Sequence, residues 1–268
     1  MQTNEINYQD LLKARKYNPA LLPPIEQVCL TINTKVIGTL SNYIVLSGLP
    51  KNGKSLYIGS IIASAILPKF QDCFGIKLVT PENRNKIAYF DTESSPYDFH
   101  KQIGKIKTFA LRDNLPEQVS AFNTREDSPK TIRKMVEQFL IDNKDCSIVV
   151  IDGFLDLCLN YNDEKETRLL TNWFKRITKE YNILLIGVLH LGKGQGETLG
   201  HLGSNTDRWS QSTLIVEKVK ETKQFVLKPK FLRSSDEFEP IALMNFDGRF
   251  QQVPYEQPII EPFKKPKK

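Results

Sequence analysis

Apolar and polar positions along the chain alternate between two rhythms. Short, almost unbroken apolar runs occupy residues 43–46, 87–90, 148–151 and 183–189, the signature of strands buried on both faces. Between them lie longer stretches with apolar residues three and four apart, at 56–67, 97–111, 130–141 and 167–181. In the third of these Ile132, Met135, Val136, Phe139 and Leu140 share one helical face. A weaker strand is predicted over 119–122. The strand–helix alternation predicts an α/β fold, a mainly parallel central sheet with helices on both faces. Beyond Gly203 the rhythm changes. Residues 213–219, 225–231 and 241–246 read as strands without intervening helices, which predicts an antiparallel C-terminal edge.

The flanks differ from this body. Residues 8–17 can form one short helix, which Asn18-Pro19 and then Pro23-Pro24 should stop. Residues 1–25 are therefore expected to be an arm or linker, 26–253 the domain, with 25–37 apolar enough to join it. Residues 254–268, rich in Pro and Lys, are expected to be a flexible tail. No internal repeat is present.

Composition narrows the class. Of 268 residues, 40% are hydrophobic and 25% charged, enough for a core and a soluble surface. No apolar run approaches membrane-span length, so no membrane partner is expected. The start, Met1-Gln2-Thr3-Asn4-Glu5, lacks a secretory pattern. Cys29, Cys73, Cys146 and Cys158 have no metal-ligand spacing, so buried free thiols in a cytoplasmic protein are expected. The net charge of +6 is compatible with a polyanionic partner, although Lys264, Lys265, Lys267 and Lys268 carry part of it.

The strongest chemical signal is Gly48-Leu49-Pro50-Lys51-Asn52-Gly53-Lys54-Ser55, followed by Leu56. It is a complete G-x-x-x-x-G-K-[ST] loop between a predicted strand and a predicted helix. Its glycines let successive backbone N–H groups converge on one anion, and the helix N-terminus adds its positive end. Lys54 can reach the outer phosphates of a nucleotide and the Ser55 hydroxyl can hold Mg²⁺. ATP and Mg²⁺ are the expected cofactors.

In parallel α/β sheets, ligands bind beyond the C-terminal strand ends, so the polar residues that close the other apolar runs carry information. Asp152, after 148–151, suits a Mg²⁺ carboxylate acting through water, or simply ends a strand before Gly153. Glu93, in Asp91-Thr92-Glu93, suits a base for an attacking water, or an acid at a helix start. His190 suits a sensor of the terminal phosphate, or a satisfied strand-end histidine. It precedes a Gly-rich segment, 192–205, expected to be a flexible loop that responds to that sensor. Lys228, Lys230 and Arg233 read on residue chemistry alone as charges guarding a sheet edge.

The order of these parts resembles the RecA-like P-loop ATPases over about residues 42–246, and within them hexameric helicases of the RepA plasmid and DnaB types. The resemblance implies a RecA-like NTPase fold, Glu93 as catalytic base and His190 as sensor. It implies Lys230 and Arg233 as a finger reaching a neighbouring subunit's phosphate, with Lys54 completing the catalytic set. The pair departs from the usual spacing, because Phe231 and Leu232 separate the two cations. Residues 192–205, with Lys193, Gly194 and Gln195, match the position of a DNA-contacting loop, and residues 160–163 a second one. The implied function is Mg²⁺-dependent ATP hydrolysis coupled to single-stranded DNA, helicase-like, in a homo-oligomer, a hexameric ring by preference. Replication or mobilisation of a mobile element would be the setting, with other replication proteins as partners. The competing reading is an ATP-gated assembly or regulatory protein without unwinding activity. A small-molecule kinase fits less well, because no Arg-rich lid segment lies between the motifs.

Overall fold

A computed structural model describes residues 7–21, 25–68, 73–192 and 200–257. The strands are β1 (Val28–Ile32), β2 (Lys35–Thr39), β3 (Tyr43–Gly48), β4 (Ile76–Leu78), β5 (Lys86–Asp91), β6 (Val119–Asn123), β7 (Cys146–Asp152), β8 (Leu184–His190), β9 (Ser212–Lys218), β10 (Phe225–Leu232), β11 (Ile241–Phe246) and β12 (Arg249–Val253). The helices are α1 (Tyr8–Arg15), α2 (Lys54–Ile66), α3 (Pro96–Phe109), α4 (Pro129–Asp142), α5 (Glu164–Glu180) and α6 (Gly200–Trp209), with a 3₁₀ turn at Phe154–Leu157.

Nine strands form one sheet in the order β12-β11-β10-β9-β3-β8-β7-β5-β6. From β9 to β6 every pairing is parallel, and from β12 to β9 every pairing is antiparallel. The mixed α/β architecture and the change of style late in the chain thus agree with the hydrophobic pattern.

Period-two alternation along the central strands feeds two cores. Ile44, Leu46, Ile87, Tyr89, Ile148, Val150, Leu184 and Ile186 point to one face, where α2 and α3 supply Tyr57, Ile58, Ile61, Ile62 and Ile106. Tyr43, Val45, Ala88, Phe90, Val149, Ile151 and Leu185 point to the other, against Val136 of α4, Phe174 of α5 and Leu202 of α6. Such double-sided burial is what keeps these runs apolar throughout.

A second sheet of three strands, ordered β2-β1-β4, adds Leu30, Ile32, Ile37 and Leu78 to the first core. The 25–37 segment therefore does enter the domain, as an antiparallel hairpin. Helix α1 is capped by the Asn7 side chain but buries none of its residues.

Two expectations need correction. The Gly-rich segment does not extend as a loop to residue 205, because Gly200–Trp209 is a helix. Its buried Leu202 and Thr206 and the Asn205 Nδ2 to Thr167 Oγ1 bond at 3.1 Å fasten it to α5, which outweighs poor intrinsic propensity. The expected tail is not free from its first residues: Gln224 Nε2 donates to the Pro254 carbonyl at 2.8 Å, and Glu256 N donates to Gln224 Oε1 at 3.3 Å, while 258–268 lie outside the described residues.

Arg84, just before β5, was not singled out by the sequence. Its guanidinium donates to the carbonyls of Lys144 (3.4 Å), Cys146 (2.5 Å), Tyr181 (2.8 Å) and Asn182 (2.9 Å). One side chain thereby joins the α4–β7 and α5–β8 turns at the end of the sheet opposite the Gly48–Ser55 loop.

Candidate nucleotide-binding site

Strand register sets the site. Gly48 pairs with His190 across β3 and β8, and Asp91 pairs with Asp152 across β5 and β7. The C-terminal ends of four adjacent parallel strands thus present the loop, His190, Asp152 and the Asp91-Thr92-Glu93 turn side by side. Asp91 builds that turn. Its Oδ1 accepts from the Glu93 and Ser94 amides at 3.1 and 2.8 Å. Thr92 ties it to β7, its amide donating to the Asp152 carbonyl at 2.8 Å and its hydroxyl to Asp156 Oδ2 at 2.6 Å.

The two motif glycines serve different needs. Gly53 has φ +95°, a left-handed conformation open to glycine, and a Cβ there would also meet the Phe225 ring at 2.6 Å. At Gly48 the constraint is space, since a Cβ would lie 2.4 Å from the Val216 carbonyl oxygen on β9. Pro50 and Lys51, both exposed, and half-buried Asn52 form the bend between them, with Leu49 before it and Leu56 buried in the first turn of α2.

Lys54 is only 7% exposed. Its Nζ lies 2.9 Å from Gly48 O, 3.0 Å from Leu49 O and 3.3 Å from His190 Nδ1. Burial holds the ammonium below the usual lysine range, while Glu93 and Asp152 pull it upward. His190 Nε2 lies 2.8 Å from Glu93 Oε1. That contact with His190 is the main cause holding the Glu93 carboxyl below its ordinary range despite partial burial, with Lys54 the smallest contributor.

Asp152 is 6% exposed. Burial first, then the neighbouring Asp91 and Glu93, push its carboxyl up to about 7, and a bond from the Ser55 hydroxyl opposes this. A buried carboxylate of raised proton affinity, joined to a hydroxyl at the end of the Gly48–Ser55 loop, suits Mg²⁺. Among the described residues no group of three His, Cys, Asp or Glu side chains could hold a metal alone. An ion here would rest on Ser55, Asp152 and the ligand's own oxygens.

This carboxyl costs stability when ionised. An unfolded aspartate titrates near 3.8 and folded Asp152 near 7, so between these values the folded state binds more protons. Stability from this group therefore falls as pH rises through that window. Asp152→Asn should stabilise the nucleotide-free protein by roughly 1–3 kcal/mol at pH 8, and confer no gain near pH 4. Thermal melts of both proteins at the two pH values test this; equal melting points at pH 8 contradict it.

These residues line a cleft of about 410 Å³, together with Lys105, Phe225 and Phe250. Neither aromatic carried a signal in the sequence. They come from β10 and β12, with ring centroids 5.9 Å apart in an edge-to-face arrangement. Tyr57 of α2 donates its hydroxyl to the Phe225 and Ile241 carbonyls, 2.8 Å each, and so fixes this wall relative to the loop.

Lys230 and Arg233 do not reach their own chain's loop. β10 runs antiparallel to β9, so Phe225 lies at the loop end and Leu232 at the far end, opposite Ser212. Lys230 Nζ pairs with Asp207 Oδ2 at 2.8 Å, and the Arg233 guanidinium donates to the Arg208 carbonyl. Lys228 pairs with Glu217 at 2.6 Å. Lys193, Gly194 and Gln195 lie outside the described residues. Asn162 and Tyr161, of the other suggested DNA loop, lie against Gly200, the first residue of α6. Cys29, Cys73, Cys146 and Cys158 are all buried, and no helix among the described residues is long and apolar enough to cross a membrane.

The chain matches no known family profile and no curated protein.

Proposed function

We propose that this chain is a Mg²⁺-dependent nucleoside triphosphatase of the RecA-like P-loop class, working on single-stranded nucleic acid as a homo-oligomer, by preference a hexameric ring. The observation that carries the reading is the row of strand ends around Lys54, which puts Ser55, Asp152, Glu93 and His190 in one cleft. A lone P-loop would support phosphate binding only. A carboxylate beside it that can orient and deprotonate water adds hydrolysis.

In this reading the loop amides and Lys54 bind the phosphates and offset charge that builds on them in the transition state. Ser55, and Asp152 through a water, would hold Mg²⁺, which would supply charge neutralisation at the phosphates. Glu93 positions the attacking water and accepts its proton. Phe225 and Phe250 offer an apolar wall for the base. Lys230 and Arg233, remote from their own site, would serve a neighbour's, so hydrolysis would need assembly. Coupling to DNA rests on the family resemblance and the basic net charge.

The decisive experiment measures Mg²⁺-dependent ATP hydrolysis and oligomeric state with a non-hydrolysable ATP analogue, with and without single-stranded DNA. Rings with DNA-stimulated turnover are expected; if DNA alters neither quantity, the nucleic-acid reading fails. Strand displacement by the purified protein separates a motor from an ATP-gated assembly protein. Phe250→Ala should raise KM for ATP about tenfold with kcat nearly unchanged, since stacking binds ground and transition states alike. Unchanged KM removes the aromatic wall from the site.

A further inference from the structure

The Lys54 ammonium carries three protons and has three protein acceptors, the carbonyls of Gly48 and Leu49 and His190 Nδ1. This match fixes the histidine. A proton on Nδ1 would set two N–H groups against each other 3.3 Å apart. The imidazole proton therefore sits on Nε2, where it donates to Glu93 Oε1 at 2.8 Å. Lys54 and Glu93, on opposite sides of the ring, are joined through its two nitrogens.

The three acceptors are not equally replaceable. Gly48 O belongs to the end of β3 and also accepts the Leu191 amide at 3.1 Å, and Leu49 O is loop backbone. Only His190 can withdraw by turning a side chain. Any phosphate that takes a proton from Lys54 must displace one of the three.

We infer that His190 is a positioning residue that couples arrival of a phosphate at Lys54 to the setting of Glu93. The phosphate replaces Nδ1 on the ammonium, and the ring, released at one nitrogen, changes its hold on the carboxylate. In the empty site one Glu93 oxygen, Oε1, is engaged by the ring, which fixes where the carboxylate points. This rests on the nucleotide-site reading above, and it places the sensor's first output inside the site rather than in the segment that follows β8.

The test is ring-nitrogen NMR of the full chain with ¹⁵N-labelled histidine. The three histidines, His100, His190 and His201, are separated by the signal lost in His190→Gln. The empty protein should show His190 protonated on Nε2 alone; an Nδ1-protonated or doubly protonated ring overturns the inference. Lys54→Met removes the donor and should shift the Nδ1 signal; an unmoved signal overturns it. Mg²⁺ with a non-hydrolysable ATP analogue, at saturation by calorimetry, should move Nδ1 in the wild type. A saturated site with an unmoved Nδ1 also overturns it. If the analogue does not bind, the nucleotide-site reading falls and the coupling with it, while the Lys54→Met spectrum separately decides whether the bridge exists. In turnover, His190→Gln retains an acceptor and a donor and should stay within about threefold of wild-type kcat, whereas His190→Phe should lose about tenfold or more with KM little changed. Equal losses in the two variants argue for mere packing.

Discussion

Glu93→Gln should bind ATP and Mg²⁺ like the parent and hydrolyse them about 10²–10⁴-fold more slowly, the range for loss of a positioned base. The amide keeps the size of the carboxylate and can still meet His190, but it cannot accept a proton. Lys54→Ala should behave differently. It removes a cation that serves both bound substrate and transition state, so nucleotide affinity and turnover should fall together. It also removes a buried ammonium held by two backbone carbonyls, and the empty protein should stay folded. Binding calorimetry with single-turnover hydrolysis distinguishes the pair. Glu93→Gln turning over within about threefold of wild type would falsify the base assignment.

Arg84→Ala should be the most damaging single change away from the site, at roughly 2–4 kcal/mol. Hydrogen bonds from a charged donor to four carbonyls are lost at once, two of them part-buried, to Cys146 and Tyr181. For a chain of this size that is a fall in Tm of about 5–15 °C. Arg84→Lys should recover only part of it, because an ammonium is a point donor that cannot span the fork. Urea unfolding of the three proteins measures the differences, and a loss below about 1 kcal/mol would show that solvent replaces the guanidinium at little cost.

What could be read from sequence and what could not divides along physical lines. Strands β3, β5, β7 and β8 were legible because burial on both faces demands uninterrupted apolar residues, and their closing residues then fell at one edge by topology. Helix α6 was hidden because its glycines, Gly200 and Gly203, look like loop, and what makes it helical is contact with α5. The hairpin of β11 and β12 did leave a trace. Asp247 and Gly248 have φ of +50° and +87°, the two-residue turn that Asp-Gly favours, but β12 itself is too polar to read as a strand. Arg84 left none, since its acceptors are backbone carbonyls that any sequence supplies. Phe225 and Phe250 meet the loop only through pairing of the last four strands.

The central place of β3 has a consequence for how the molecule comes into being. Its neighbours are β8 and β9, so the strand that leads into the phosphate loop finds no partner in the sheet until residues 184–218 have been made. A ribosome-bound chain ending near residue 180 should therefore hold that loop without its scaffold and bind no nucleotide. Tight capture of nucleotide by such a chain would show that the loop organises itself. Non-local pairing of this kind is slow, and an early, exposed apolar strand is a hazard to a nascent protein. On the proposed reading, nucleotide capture would then follow the pairing of β3 with β8 and β9, and a ligand that binds only the paired sheet would pull late folding to its end by mass action.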